Sequence, residues 1–245
     1  MEQALINRME KIRKKLKDEC TKCKHSGILN NQSCECMKKY EYYVTLLFCG
    51  IEEEYWDLTL DDFKGDKLAK GTIVDYIDNL KNAFEYGLSL GLSGSHGVGK
   101  TLASALILKA ALDVKYTIYS ISLAELLKLI KKPFSEEDTE SIRLYNDKIK
   151  NADFLVVDDL GDEYTPKDFG AFCISEMSLL FRHRRRNCFP TIITTNLTKK
   201  DLEEKYGSSL SSLMKSNFKF ITLSGKDFRE KQGKNWDRLL KGNEV

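Results

Sequence analysis

The chain has 245 residues, 42% of them apolar and 31% charged, a composition that supports one large packed domain with at most a small appendage. A net charge of +2 leaves nucleic-acid binding to local basic clusters, not to bulk charge. No apolar run approaches the roughly 20 residues of a membrane span. Residues 1–17 are charged throughout and lack the core of a signal peptide. A cytoplasmic location without a membrane partner is therefore expected, where seven cysteines stay reduced.

Residues 1–50 carry ten Lys/Arg against six Asp/Glu and hold five of the seven cysteines. Leu5, Ile6, Met9, Ile12 and Leu16 recur at helical spacing, so the chain opens with an amphipathic helix. Its basic run at 11–17 reads as a solvated helix face or as a phosphate contact. Cys20-x2-Cys23 and Cys34-x-Cys36 then flank ten residues that include Gly27, Asn30 and Asn31. Two close pairs across a turn suit tetrahedral Zn²⁺ held by four thiolates, which would supply the folding energy of so short a segment. His25 is a possible substitute ligand, and four reduced surface cysteines are the plainer alternative. Residues 51–71, with Trp56, Leu58, Leu60 and Phe63, read as a linker docking on a domain that runs from 72 to 245.

From Thr72 onward strands alternate with helices: helix 72–87, strand 88–92, helix 100–112, strand 116–121, helices 122–131 and 138–150, and strand 153–158. A helix near 168–185, strand 191–195, short helices over 198–214 and strand 218–223 complete the series. Such alternation predicts an α/β fold, a parallel sheet covered on both faces.

Between the first core strand and helix lies Gly94-Ser95-His96-Gly97-Val98-Gly99-Lys100-Thr101, a G-x-x-x-x-G-K-T phosphate loop. Its backbone N–H groups and the following helix N-terminus favour a triphosphate such as ATP. Lys100 would reach the β- and γ-phosphates, and the Thr101 hydroxyl would ligate Mg²⁺. The apolar strand Phe154–Val157 ends in Asp158 and Asp159. Asp158 is the expected Mg²⁺ partner, and Asp159 the expected base that activates water. A turn or helix-capping role is the alternative for both. Thr191–Thr195 is a further buried strand. The Asn196 that follows either senses the γ-phosphate or caps the helix near Thr198.

The phosphate loop, Val156-Val157-Asp158-Asp159-Leu160-Gly161 with Glu163, and Pro190-Thr191-Ile192-Ile193-Thr194-Thr195-Asn196-Leu197 together resemble AAA+ ATPases of the DnaC/IstB type over roughly residues 55–230. The resemblance implies a P-loop AAA+ core with a five-stranded parallel sheet, assembled as a hexamer or spiral. It further implies ATP at subunit boundaries, a trans-acting arginine from the neighbour, and single-stranded DNA in the channel. It also implies that the N-terminal zinc module grips a replicative DNA helicase, although such a module can equally bind DNA. A helix lining the channel would bring Lys128, Lys131 and Lys132 to the DNA backbone.

Two features depart from the pattern. Only 20 residues follow Gly225, too few for a C-terminal helical lid. Where related loaders carry the trans arginine, Ser208–Leu213 stands, with Lys215 the nearest base. Arg184, among Arg182 and Arg184–Arg186, is the alternative donor, and an arginine-favouring helix end is the plainer reading. The expected function is ATP-dependent loading of a replicative helicase. A transposition helper ATPase and a nucleotide-gated adaptor with little turnover are the alternatives.

Overall fold

A computed structural model describes residues 2–131, 139–161, 167–225 and 227. The chain divides into two compact units, Met1–Asp57 and Leu58–Val245. Among the described residues no helix is long and apolar enough to cross a membrane.

In the first unit, helix α1 (Glu2–Asp18) buries Ile12 and Leu16 and leaves Lys11, Lys14 and Lys15 exposed. A two-residue hairpin, β1 (Ile28–Leu29) and β2 (Gln32–Ser33), follows, and then helix α2 (Glu35–Phe48). Asn30 and Asn31 form the hairpin turn with φ of 51° and 59°, the double left-handed turn that asparagine tolerates well. Tyr43 on α2 stacks on Trp56 at 4.8 Å, and the Trp56 indole N–H donates to the Ile51 carbonyl at 2.8 Å. Trp56 is thereby buried with this unit.

The second unit starts with α3 (Lys67–Asp78), capped by the Asp66 carboxylate on the Ala69 N–H at 2.8 Å, and α4 (Leu80–Glu85). The single helix expected over 72–87 is thus two, parted at Asn79, and the first begins earlier because Asp66 is a strong cap. There follow β3 (Ser89–Ser93), α5 (Lys100–Asp113), β4 (Ile118–Ser122), α6 (Leu123–Lys131) and α7 (Thr139–Arg143). A π-helical stretch, Leu144–Lys150, leads into β5 (Phe154–Leu160), α8 (Lys167–Arg186), β6 (Thr191–Thr195), α9 (Lys199–Asn217) and β7 (Phe218–Thr222). Gly207, with φ 77° and ψ 167°, kinks α9, where the sequence predicts short helices over 198–214.

The five long strands form one sheet, all parallel, in the order β4-β5-β6-β3-β7. Leu155, Val157, Leu160 and Ile193 pack with α6, α8 and α9 in one buried cluster. Helix α5 contributes nothing to that cluster and runs against β3, β4, β5 and β6, so it covers the opposite face. Both faces are therefore shielded, which is why these strands read as nearly continuous apolar runs. Between Val157 and Leu160 the β5–β6 register shifts at a bulge.

Candidate nucleotide site and cysteine cluster

Strand order assembles the site. Because β3 lies beside β6 and β6 beside β5, the loops leaving their carboxyl ends meet at one edge of the sheet. The Gly94 N–H donates to the Thr195 carbonyl at 3.2 Å, which seats the phosphate loop next to Asn196. Gly99 adopts φ 93°, and a Cβ there would come within 3.1 Å of the Phe63 ring. Phe63 is itself 2% exposed. Glycine is needed at this position for both reasons.

Lys100 opens α5 and is only 7% exposed. Its Nζ donates to the Gly94 and Ser95 carbonyls at 2.9 and 2.8 Å and to Asn196 Oδ1. The Asn196 amide also lies 3.3 Å from His96 Nδ1. Asn196 therefore faces the phosphate loop, whereas α9 is capped by Thr198 in a capping box with Asp201. The Thr101 hydroxyl lies 3.2 Å from Asp158 Oδ2. Ser95, His96 and Asp159 are exposed, and Val98 is buried beneath the loop. A buried ammonium, a hydroxyl–carboxylate pair and a Gly-rich loop form a donor set that fits a Mg²⁺-nucleoside triphosphate.

Thr194 is a residue that sequence reasoning passed over. It is fully buried on β6, accepts the Asp159 N–H at 2.9 Å and donates to Asp158 Oδ1. The only signal in the sequence was a hydroxyl residue one strand over from the carboxylates, legible only once the strands are paired.

Arg184 is where the structure overturns expectation. It is completely buried near the end of α8, not presented to a second subunit. Its guanidinium donates to the carbonyls of Ile149 (3.0 Å), Ala152 (2.8 Å) and Pro190 (2.8 Å), and its Nε to Thr191 Oγ1 (2.9 Å). Burial lowers its pKa to about 9, opposed by Asp153, so it remains charged at neutral pH. The arginine ties the start of β5 and β6 to the π-helical stretch. Arg182, Arg185 and Arg186 are exposed. Lys215 pairs with Glu203 of its own helix at 2.7 Å.

Lys128 lies on the exposed face of α6 beside Ala124 and Glu125. Lys131 ends that helix. The Lys131 side chain, Lys132, Glu163 and the segment after Asp227 lie outside the described residues.

In the first unit the four sulfurs of Cys20, Cys23, Cys34 and Cys36 lie within 4.8 Å of one another. Cys20–Cys34 and Cys23–Cys36 are each 3.7 Å apart. Tetrahedral Zn²⁺ with Zn–S bonds of about 2.3 Å requires sulfurs about 3.8 Å apart. Burial works against the Cys23 thiolate, yet the Gly27 N–H at 3.3 Å and the neighbouring thiols outweigh it and hold the thiol at about 6. Burial, reinforced by Cys23, pushes Cys36 up to about 12. A dication would remove this mutual opposition. His25 turns away from the sulfurs, its Nδ1 lying 2.8 Å from the Lys17 carbonyl. The cluster fits zinc through its four thiols alone.

No protein-family model matches the chain, and no curated protein matches it by sequence. Solved structures do match. A DnaC helicase loader superposes with TM-score 0.59 and 26% identity, over 71% of this chain and 100% of its own. A DnaI structure superposes with TM-score 0.57 and 21% identity, over 71% of this chain and 94% of its own. A replication initiator DnaA bound to AMPPCP and single-stranded DNA follows at TM-score 0.56 and 16% identity, over 76% of this chain and 56% of its own. With its parallel five-stranded sheet and phosphate loop, the chain has a P-loop AAA+ fold similar to that of the DnaC helicase loader structure, and its N-terminal cysteine cluster fits a zinc module.

Proposed function

We propose that this protein is an ATP-dependent helicase loader. The observation that carries the reading is the convergence of Lys100, Thr101, Asp158 and Asn196 at one sheet edge. It occurs in a chain whose fold matches a structure described as a helicase loader at 26% identity. ATP bound on residues 94–101 would draw Lys100 from the loop carbonyls onto its phosphates. Thr101 and Asp158 would hold Mg²⁺, which supplies charge neutralisation on the phosphates. Asp159, exposed at the strand end, would take the proton of the attacking water, and Asn196 would register the γ-phosphate.

ATP-dependent self-assembly into a hexamer or spiral would place Lys128, with Lys131 and Lys132, along single-stranded DNA. The N-terminal module, residues 1–50 with zinc on its four cysteines, would hold the replicative helicase, and the ATPase domain is proposed at 72–245. Of the linker expected at 51–71, residues to Asp57 fall in the first unit and those from Leu58 in the second. A DnaA structure holding both AMPPCP and single-stranded DNA supports the DNA part of this reading. The burial of Arg184 favours one competing reading, a nucleotide-gated adaptor with little turnover, because it removes one donor of transition-state charge.

ATP turnover should be measured alone, with single-stranded DNA, and with the replicative helicase. A loader is stimulated by its partners, and Lys100→Ala or Asp159→Asn abolishes the activity. Bound ATP without turnover under every condition would sink the motor reading and leave the adaptor.

A further inference from the structure

We infer that the Thr194 hydroxyl is the positioning group for both carboxylates at the end of β5, a role that rests on the ATPase reading above. The β5–β6 register shifts between Val157 and Leu160, so Asp158 and Asp159 fall outside the regular pairing with β6, while Asp158 still pairs with Ser122 of β4. Asp159 sits there with φ 56°, in the left-handed region that aspartate enters only with local support. Its N–H finds its acceptor in the Thr194 hydroxyl at 2.9 Å. The same hydroxyl donates to Asp158 Oδ1. A hydroxyl has one proton, so donation to Asp158 leaves only lone pairs for Asp159, and the rotor has one setting.

Thr194 is fully buried, which keeps water from taking over either bond. Asp158 is thus held through Oδ1 by Thr194 and approached at Oδ2 by Thr101 at 3.2 Å. The bulge turns Asp159 toward solvent while keeping its backbone attached to the neighbouring strand. One side chain therefore sets the orientation of the metal-binding carboxylate and the backbone of the proposed base.

Substitution separates positioning from strand packing. Valine keeps the β-branched shape and loses the hydroxyl; serine keeps the hydroxyl and loses the branch. Positioning ranks serine above valine, whereas packing on a buried strand ranks valine above serine. The full-length chain is assayed for ATP turnover and for binding of ATP with Mg²⁺ and with EDTA, with Lys100→Ala and Asp159→Asn alongside. Thr194→Val should lower kcat roughly 10–100-fold, the range for losing a group that orients a metal ligand. Mg²⁺ should tighten ATP binding less than in the wild type, while ATP binding in EDTA should be unchanged. Thr194→Ser should recover most of both.

Thr194→Val indistinguishable from wild type, or Thr194→Ser as impaired as Thr194→Val, overturns the inference while Lys100→Ala still upholds the nucleotide site. If the wild type binds ATP without turnover, the Mg²⁺ dependence of binding alone decides the matter. Undiminished ATP binding by Lys100→Ala overturns the nucleotide site and this inference together.

Discussion

Arg184 illustrates how one residue can carry a function in sequence and a structural duty in space. A buried guanidinium is expensive to desolvate, and here backbone carbonyls of two strand starts and a helix end offset that cost. Replacing it with methionine would remove one donor from each of those carbonyls, with Pro190 keeping the Leu155 N–H at 3.2 Å. Arg184→Met should therefore destabilise the second unit by about 3 kcal/mol or more, read by denaturant titration. A mixing experiment provides the contrast. Active-site-dead subunits bearing an intact Arg184 should rescue no more turnover than those bearing Arg184→Met, because the side chain never leaves its own core.

At the scale of elements, Asp66 joins two parts of the second unit. It caps α3 through the Ala69 N–H, and its second oxygen accepts the Ser224 N–H at 3.2 Å and the Ser224 hydroxyl at 3.0 Å, just beyond β7. The Ala69 N–H, followed by the Ser224 N–H, holds the carboxyl below its ordinary value. Because the folded state binds that proton less readily than the unfolded chain, the contribution is complete above the ordinary carboxylate pKa. It fades as pH falls through the lowered folded value. Asp66→Asn keeps an acceptor for the cap and abolishes the titration. The variant should therefore lose less stability than the wild type between about pH 5 and pH 3, seen as a flatter melting temperature against pH. Asp66→Ala should cost about 1 kcal/mol at neutral pH through the lost cap.

At the scale of the whole molecule, the two units differ in what stabilises them. The second is built on a sheet shielded on both faces. The first has two helices of 17 and 14 residues, a hairpin of two-residue strands and four sulfurs set for a metal. Chelation of zinc should therefore abolish hydrogen-exchange protection around residues 20–36 while leaving strands β3 to β7 protected. Cys23→Ser should reproduce the effect without chelator. Equal loss of protection in both units would contradict separate stabilisation.

Much of this was legible in the chain itself. The G-x-x-x-x-G-K-T run, the paired aspartates after Phe154–Val157 and the two cysteine pairs mark candidate sites through local spacing, and spacing survives into any fold that places them on a turn. The periodicity of strands and helices likewise follows from which side chains shun water. Tertiary structure decided the rest. That Arg184 is core and not surface depends on three segments from separate parts of the chain folding around it. That Thr194 serves Asp158 and Asp159 depends on β6 lying beside β5 with a bulge between them. Local propensity is written residue by residue, whereas the partners of a buried polar group are set by strand order, which no short window of sequence contains.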